Sequence, residues 1–265
     1  MRIVVCVKEV LDPDAVNNYV LSGNLKIGED GKTLDVSAVP RLMNGYDEQA
    51  LEAAQRIRDA GADCSITAVT IGKDTKALLK HCAAMGADDI VHIDAGDTSL
   101  DCHVVANLLS AYIRTSGGAD LVFCGRQASD DDQGVVPALI GETLEMPVVP
   151  LARAIEVNGN TVKVTRVTPD GDEVVEGNTP AVVTISNELG EPRFPTARAK
   201  MAARKKKATV VAASDLGLSA EDLTAKVVLS KQLVPQVQGS CEFLKGSPAE
   251  VAQALMEKLR ADSLV

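Results

Sequence analysis

Short, nearly continuous apolar runs alternate along the first half of the chain with longer stretches in which apolar residues recur every three or four positions. Ile3 to Val7, Ser65 to Ile71 (SITAVTI), Ile90 to Ile93 and Leu121 to Cys124 have the length and content of buried strands. Between them, Asp47 to Ala60 sets Ala50, Leu51, Ala54 and Ile57 on one helical stripe, and Asp74 to Met85 is a second helix closed by Gly86. Leu100 to Arg114 and Gly134 to Leu144 are two more, the last stopping before Pro147. Strands that are apolar throughout and separated by helices predict a parallel sheet covered on both faces. Ligands of such sheets sit outside the carboxyl ends of the strands, at a topological switch point. That rule selects four loops: after Val7, around Asn44, after Ile71 and after Cys124.

The period changes near residue 150. Thr161 to Val167 and Glu173 to Val175 alternate polar and apolar, with turn signals at Asn158-Gly159 and Asp170-Gly171, so an antiparallel ribbon is expected beside the parallel sheet. Pro180 to Ile185 reads as a further buried strand. Residues 208–246 show no sustained period. Ser247-Pro248-Ala249-Glu250 then forms a helix start with Ser at the N-cap, Pro at N1 and Glu at N3, followed by a stripe of Val251, Leu255 and Leu259 with Ala252 and Met256 beside it. The expected division is a nucleotide-binding α/β domain over residues 1–207 and a C-terminal arm with a helix over 208–265. An arm without a core of its own is expected to embrace another chain.

Composition narrows the function. The 265 residues carry a formal net charge of −10, which argues against nucleic acid, since neutralising phosphates requires clustered Lys and Arg. The one basic cluster, Arg204 to Lys207, reads as a solvated run. No apolar run is long enough to span a membrane. The opening strand without a signal-peptide layout leads to the expectation of a cytoplasmic protein. Six cysteines form no CxxC pair, and of the three histidines His81 and His103 each adjoin a cysteine, Cys82 and Cys102. Neighbours on a helix are expected to point apart, so no metal site is expected. There is no Trp and only three Tyr and three Phe, so a bound ring system would take much of its pocket from a partner chain.

The candidate chemistry lies in CGRQASDDDQG, residues 124–134, where three consecutive carboxylates follow an apolar strand and precede a helix. Free N–H groups at a helix start attract anions, whereas Asp130, Asp131 and Asp132 suit a metal, ribose hydroxyls or a helix cap. A plain strand–loop–helix with a capping Asp is the simpler reading. No phosphate-loop or dinucleotide fingerprint is present, which disfavours nucleotide hydrolysis. Asn44-Gly45-Tyr46-Asp47 precedes the first strong helix. Its Asn and Asp are turn and cap formers, and Tyr46 is one of few aromatics.

Six stretches in register resemble the β subunit of an electron-transfer flavoprotein: VCVKEVLD (5–12), MNGYDEQALEAAQRIRD (43–59), AMGADDIVHID (84–94), DLVFCGRQASDDDQG (120–134), PAVVTISNELGEPRFP (180–195) and MAARKKK (201–207). The resemblance implies an adenine-nucleotide hydrolase-like α/β sandwich in a heterodimer with an α subunit that holds FAD. It implies a second nucleotide in this chain, AMP in simple carriers or a second FAD in bifurcating relatives. Carried onto this sequence, the cofactor-binding residues are Cys6, Asn44, Gly45, Tyr46, Asp47, Ile71, Gly125, Arg126, Gln127, Ala128, Ser129, Asp130, Asp131, Asp132, Gln133, Gly134, Val135 and Val136. No catalytic side chain is implied, because the flavins carry the chemistry. Oxidation of NADH would belong to a bifurcating form only. The segment Glu191 to Met201 falls on the loop that docks acyl-CoA dehydrogenases. The Asp run would then hold ribose and cap the helix, and Gly125→Asp would release nucleotide without unfolding.

Two departures from the family pattern stand out. Gln133-Gly134-Val135-Val136 replaces side-chain phosphate donors, which tilts the reading towards FAD, and Ala197 replaces a Leu anchor in the docking segment. The alternatives are a one-FAD carrier with structural AMP in this subunit, or a non-redox, stress-protein-like adenine-nucleotide-binding module.

Overall fold

The computed structural model describes residues 1–35, 39–234 and 241–265. The chain divides into two compact units, Met1–Gln232 and Leu233–Val265. The expected boundary at 207/208 falls inside the first.

The strands of the first unit are β1 (Arg2–Cys6), β2 (Glu9–Leu11), β3 (Arg41–Met43), β4 (Ser65–Ile71), β5 (Asp89–Asp94), β6 (Leu121–Gly125), β7 (Val148–Asn158), β8 (Thr161–Thr168), β9 (Gly171–Asn178), β10 (Ala181–Ile185) and β11 (Thr209–Ala212). Its helices are α1 (Pro13–Leu21), α2 (Gly45–Asp59), α3 (Lys76–Ala84), α4 (Cys102–Thr115), α5 (Val136–Leu144) and α6 (Ala197–Lys205). The main sheet runs β11-β5-β4-β1-β6-β10-β7-β8-β9, and β2 pairs with β3 in a separate antiparallel ribbon. Every pairing from β11 to β7 is parallel, while β7–β8 and β8–β9 are antiparallel. This is the α/β class expected, with the antiparallel ribbon where the turn signals put it.

Two cores flank the sheet. One gathers Ile3, Val5, Leu51, Ile57, Leu79 and Phe123 under α2 and α3, and the other gathers Val4, Leu108, Ile113, Val122 and Ile140 under α4 and α5. Alternate residues of β1 therefore face opposite cores, as the pleat requires. Leu51 and Ile140 are fully buried, and each such side chain contributes about 1.5–3 kcal/mol.

Several elements were not expected from the pattern. β7 and β11 are among them. So is α1, whose N-cap Asp12 accepts from Asp14 N at 3.0 Å and Ala15 N at 3.3 Å. α6 converts half of the expected docking loop into helix, with Thr196 Oγ1 accepting from Ala199 N at 3.2 Å as its cap. It buries only Ala203, so it carries no apolar stripe for a pattern to reveal.

In the second unit, α7 (Pro248–Ala261) starts at the expected place, with the reciprocal Ser247–Glu250 capping box formed and no residue buried. Among the described residues, no helix is long and apolar enough to cross a membrane.

Candidate functional site

The strand order creates the switch point. From β1 the chain passes to β4 and β5 on one side, then returns to β6 on the other. A crevice must open beyond the carboxyl ends of β1 and β6, where their following loops part. The residues there are Val7-Lys8 after β1 and Gly125-Arg126 at the end of β6.

The N-terminus of α2 bridges this opening. Asn44 is 1% exposed. Its amide donates to Gln127 O at 2.9 Å and its carbonyl oxygen accepts from Ser129 N at 3.3 Å. Asp47, 6% exposed, accepts from Lys8 N at 2.8 Å and from Gly125 N at 2.9 Å, so one carboxylate pins the ends of both central strands. Burial pushes its pKa up to about 7, against the pull of those two N–H donors and of Asn44. Asn44 and Asp47 are by residue type local cap and turn formers. Their side chains are long-range ties instead, reaching across 83 residues to Gln127 and 78 to Gly125.

Gly125 is explained by this closeness. A Cβ there would lie 2.5 Å from Asp47 Oδ1, 2.6 Å from Tyr46 Cβ and 2.9 Å from the Tyr46 carbonyl carbon. The expectation that Gly125→Asp spares the fold is therefore corrected, because any side chain collides with the first turn of α2. Gly134 has φ +62°, and a Cβ on it would meet Arg126 O at 2.9 Å. The loop closes tightly on itself between these two glycines.

The Asp run has partners within the chain. Lys8 Nζ lies 2.7 Å from Asp130 Oδ1 and 3.3 Å from Asp131 Oδ2, and Gln127 Nε2 donates to Asp132 Oδ1 at 2.8 Å. Burial works against the Lys8 ammonium, yet Asp130 and Asp131 hold its pKa above the ordinary value. None of the three caps α5, which corrects that expectation. The helix starts at Val136 rather than Gly134, and its N-cap is Val135, which makes no side-chain cap hydrogen bond. The leading N–H groups of α5 thus lack intrahelical partners, next to a loop whose negative charge Lys8 partly offsets.

Arg126 is held by its backbone N–H to Ile185 O at 3.0 Å, and its guanidinium sits 5.7 Å from the centre of the half-buried Tyr46 ring. Gly45 opens α2, and Ala128, Ser129 and Gln133 belong to the loop after β6. Cys6 ends β1 and Cys124 is the last residue but one of the adjacent β6, beneath them. Both side chains are buried, and the Cys6 thiol and burial together raise the Cys124 thiol well above its usual value. Ile71 ends β4 beside β1, and its loop is fastened separately through Gly72 O and His92 Nε2. Lys8 was not singled out from the sequence. Its signal was a lone Lys two residues beyond a buried strand that faces an acidic loop.

Asp101, Cys102 and His103 place one donor atom each within 4.8 Å of one another, so the expectation that Cys102 and His103 point apart does not hold. The Asp101 carboxylate, however, accepts from Val104 N at 2.8 Å, Lys226 N at 2.7 Å and Val227 N at 2.8 Å. It caps α4 and fastens the segment at Lys226 and Val227.

The fold and site define a parallel α/β protein whose ligand edge is drawn together by the start of one helix. Residues 32–216 match the family described as electron transfer flavoprotein domain. The chain is 32% identical to the electron transfer flavoprotein subunit beta of Megasphaera elsdenii, with both chains covered completely. It is 31% identical to the caffeyl-CoA reductase-Etf complex subunit CarD of Acetobacterium woodii, again over both whole chains. With the acryloyl-CoA reductase electron transfer subunit gamma of Anaerotignum propionicum it shares 32% identity over 98% of each chain. The chain belongs to the electron transfer flavoprotein family.

Proposed function

We propose that this chain is the β subunit of a heterodimeric electron-transfer flavoprotein and holds an adenine nucleotide, the AMP portion of a second FAD, at the β1–β6 crevice. The observation that carries this reading is the uncapped start of α5, set behind a loop that Asn44 and Asp47 tie to α2. Backbone N–H groups there would take the phosphate. The Gly125 and Gly134 backbones permit an approach that side chains would block. Lys8 holds Asp130 and Asp131 away from an incoming anion, and Arg126 with Tyr46 forms a cationic and aromatic edge. When bound, the flavin would supply electron transfer to and from redox partners, and the protein would tune its distance and potential.

Two further features support partners. The segment Glu191–Met201 exposes Phe194 at 92% and Met201 at 67%, and two of the relatives are named for acyl-CoA-type reductase systems. An acyl-CoA dehydrogenase or reductase would dock there. In the second unit, α7 presents Leu255 and Met256 to solvent, a stripe suited to cover by the α subunit.

Co-purification with the α subunit, denaturation and counting of released nucleotide test the reading. Two FAD and no AMP per heterodimer is the expected result, and it makes NADH titration the next step. One FAD and one AMP would mean a simple carrier, a reading that the loss of side-chain donors at Val135 and Val136 disfavours. No nucleotide at all would leave only the fold and overturn the proposal.

A further inference from the structure

The helix α2 does more than carry Asn44 and Asp47 at its start. Gln49, Glu52, Arg56 and Asp59 recur along α2 at spacings of three and four, hence on one face. All four reach the segment that leads into Phe194. Gln49 Nε2 donates to Asn187 O and Gly190 O, both at 3.3 Å. Arg56 donates to Leu189 O at 2.7 Å and Glu191 O at 3.3 Å, and its Nε donates to Glu52 Oε1 at 2.9 Å. Glu52, 4% exposed, accepts from Arg193 Nε at 2.7 Å, from Arg193 Nη2 at 3.2 Å and from Arg193 N at 3.2 Å. Asp59 Oδ2 accepts from the same Arg193 Nη2 at 2.7 Å.

We propose that Glu52, supported by Arg56 and Asp59, is a positioning residue that holds the 187–193 segment in one conformation so that Phe194 is presented to the redox partner. This rests on the reading that Glu191–Met201 is the docking segment. The chemistry favours it. Glu191-Pro192-Arg193-Phe194-Pro195 places a proline on each side of the Arg-Phe pair, fixing φ at both and biasing Glu191 and Phe194 to extended backbone. Arg193 engages Glu52 through two nitrogens, a geometry Lys cannot reproduce. The carboxylate is almost entirely buried yet fully paired, and burial of an ion pair is weak evidence for a purely stabilising role. The 92% exposure of Phe194 on a segment with this many fastenings fits a side chain held ready for a partner. A pre-ordered segment avoids the entropy of ordering at the moment of docking. α2 is about 22 Å long at 1.5 Å per residue, so one rigid element carries both the crevice ties and the docking segment.

The test uses the heterodimer co-expressed with its α subunit, carrying Glu52→Gln, and a purified acyl-CoA dehydrogenase as probe. Three quantities are read: KM and kcat for reduction of the heterodimer, the rate of trypsin cleavage after Arg193 mapped by mass, and the melting temperature. The expected result is a roughly tenfold or larger rise in KM with kcat unchanged, and a comparable rise in cleavage rate, since local opening exposes the bond. The double variant Arg56→Gln/Asp59→Asn, built at partly exposed positions, should show the same direction and covers the case in which Glu52→Gln fails to fold. Wild-type KM and cleavage in a folded variant would overturn the proposal, as would a KM that rises only in step with lost thermal stability. Phe194→Ala separates the underlying reading. An unchanged KM there sinks the docking assignment, while the cleavage assay still reports whether Glu52 holds the segment.

Discussion

Gly125 and Gly45 lie on opposite sides of the same crevice and make opposite predictions. At Gly125 an added methyl would sit 2.6 Å from Tyr46 Cβ and 2.9 Å from the Tyr46 carbonyl carbon, where carbon atoms need about 3.5–4.0 Å. The obstacle is helix backbone, so it cannot turn aside as a flexible side chain would. Overpacking of this kind costs about 1–3 kcal/mol. The forced shift also loosens the bond from Gly125 N to the Asp47 carboxylate, of a class worth about 1.5–3 kcal/mol. Allowing for non-additivity, Gly125→Ala should cost roughly 3–5 kcal/mol, which at 2–4 °C per kcal/mol lowers the melting temperature by about 6–20 °C. At Gly45 nothing lies within 4 Å of a new Cβ. Gly45→Ala in the first turn of α2 should be neutral or stabilising by up to about 1 kcal/mol. The assay is a thermal melt of the co-purified heterodimer, with released nucleotide counted in parallel. Gly125→Ala melting with the wild type and keeping its nucleotide would refute the close approach of β6 to α2, and with it the construction of the site.

Asp47 makes a pH prediction. Its folded pKa of about 7 lies above the ordinary 3.8, so between those values the folded state keeps a proton that the unfolded chain has released. Its contribution to stability therefore falls as pH rises from about 4 to 7 and is flat above that. Asp47→Asn should remove this slope from urea midpoints taken at pH 5, 6 and 7.5. It should also cost about 1–3 kcal/mol, by facing an amide NH2 towards a buried backbone N–H. Equal slopes in the two proteins would count against the assignment. Lys8→Ala removes partly exposed ion pairs and should change stability by no more than about 1 kcal/mol. It should still weaken nucleotide retention at low salt, with the loss shrinking as salt screens the Asp run; retention equal to wild type at all salt concentrations would contradict the role given to Lys8. Leu255→Asp should leave the melting of unit 1 unchanged and reduce co-purification of the α subunit several-fold, and undiminished co-purification would show that α7 does not supply that interface.

What the sequence alone determined is local, or follows from burial. Ser65 to Ile71 could be read as a strand because Ile66 to Thr70 are buried one after another, which keeps the run free of charged residues, and α7 because its cap, its Pro at N1 and its stripe agree. The parallel class followed from the alternation of the two periods. The family was legible too, because six stretches stand in register. Elements with little burial left no such trace. α6 buries one alanine, and β11 is an edge strand of four residues, so neither needed a periodic apolar face. The site shows the same division. Its loops were legible, since parallel sheets bind ligands at strand ends, but the roles within them were not. Asn44 and Asp47 look like ordinary turn and cap residues until the strand order brings β1 and β6 together and leaves Lys8 N, Gly125 N, Gln127 O and Ser129 N to be satisfied. The Asp run reads in the sequence as a ligand for something external, yet in the fold Lys8 pairs with Asp130 and Asp131. Glu52 and Arg193, 141 residues apart, become a pair only through the packing of α2. Buried polar groups must find partners wherever the chain brings them, and those partners are set by three-dimensional closure, which spacing along the sequence does not encode.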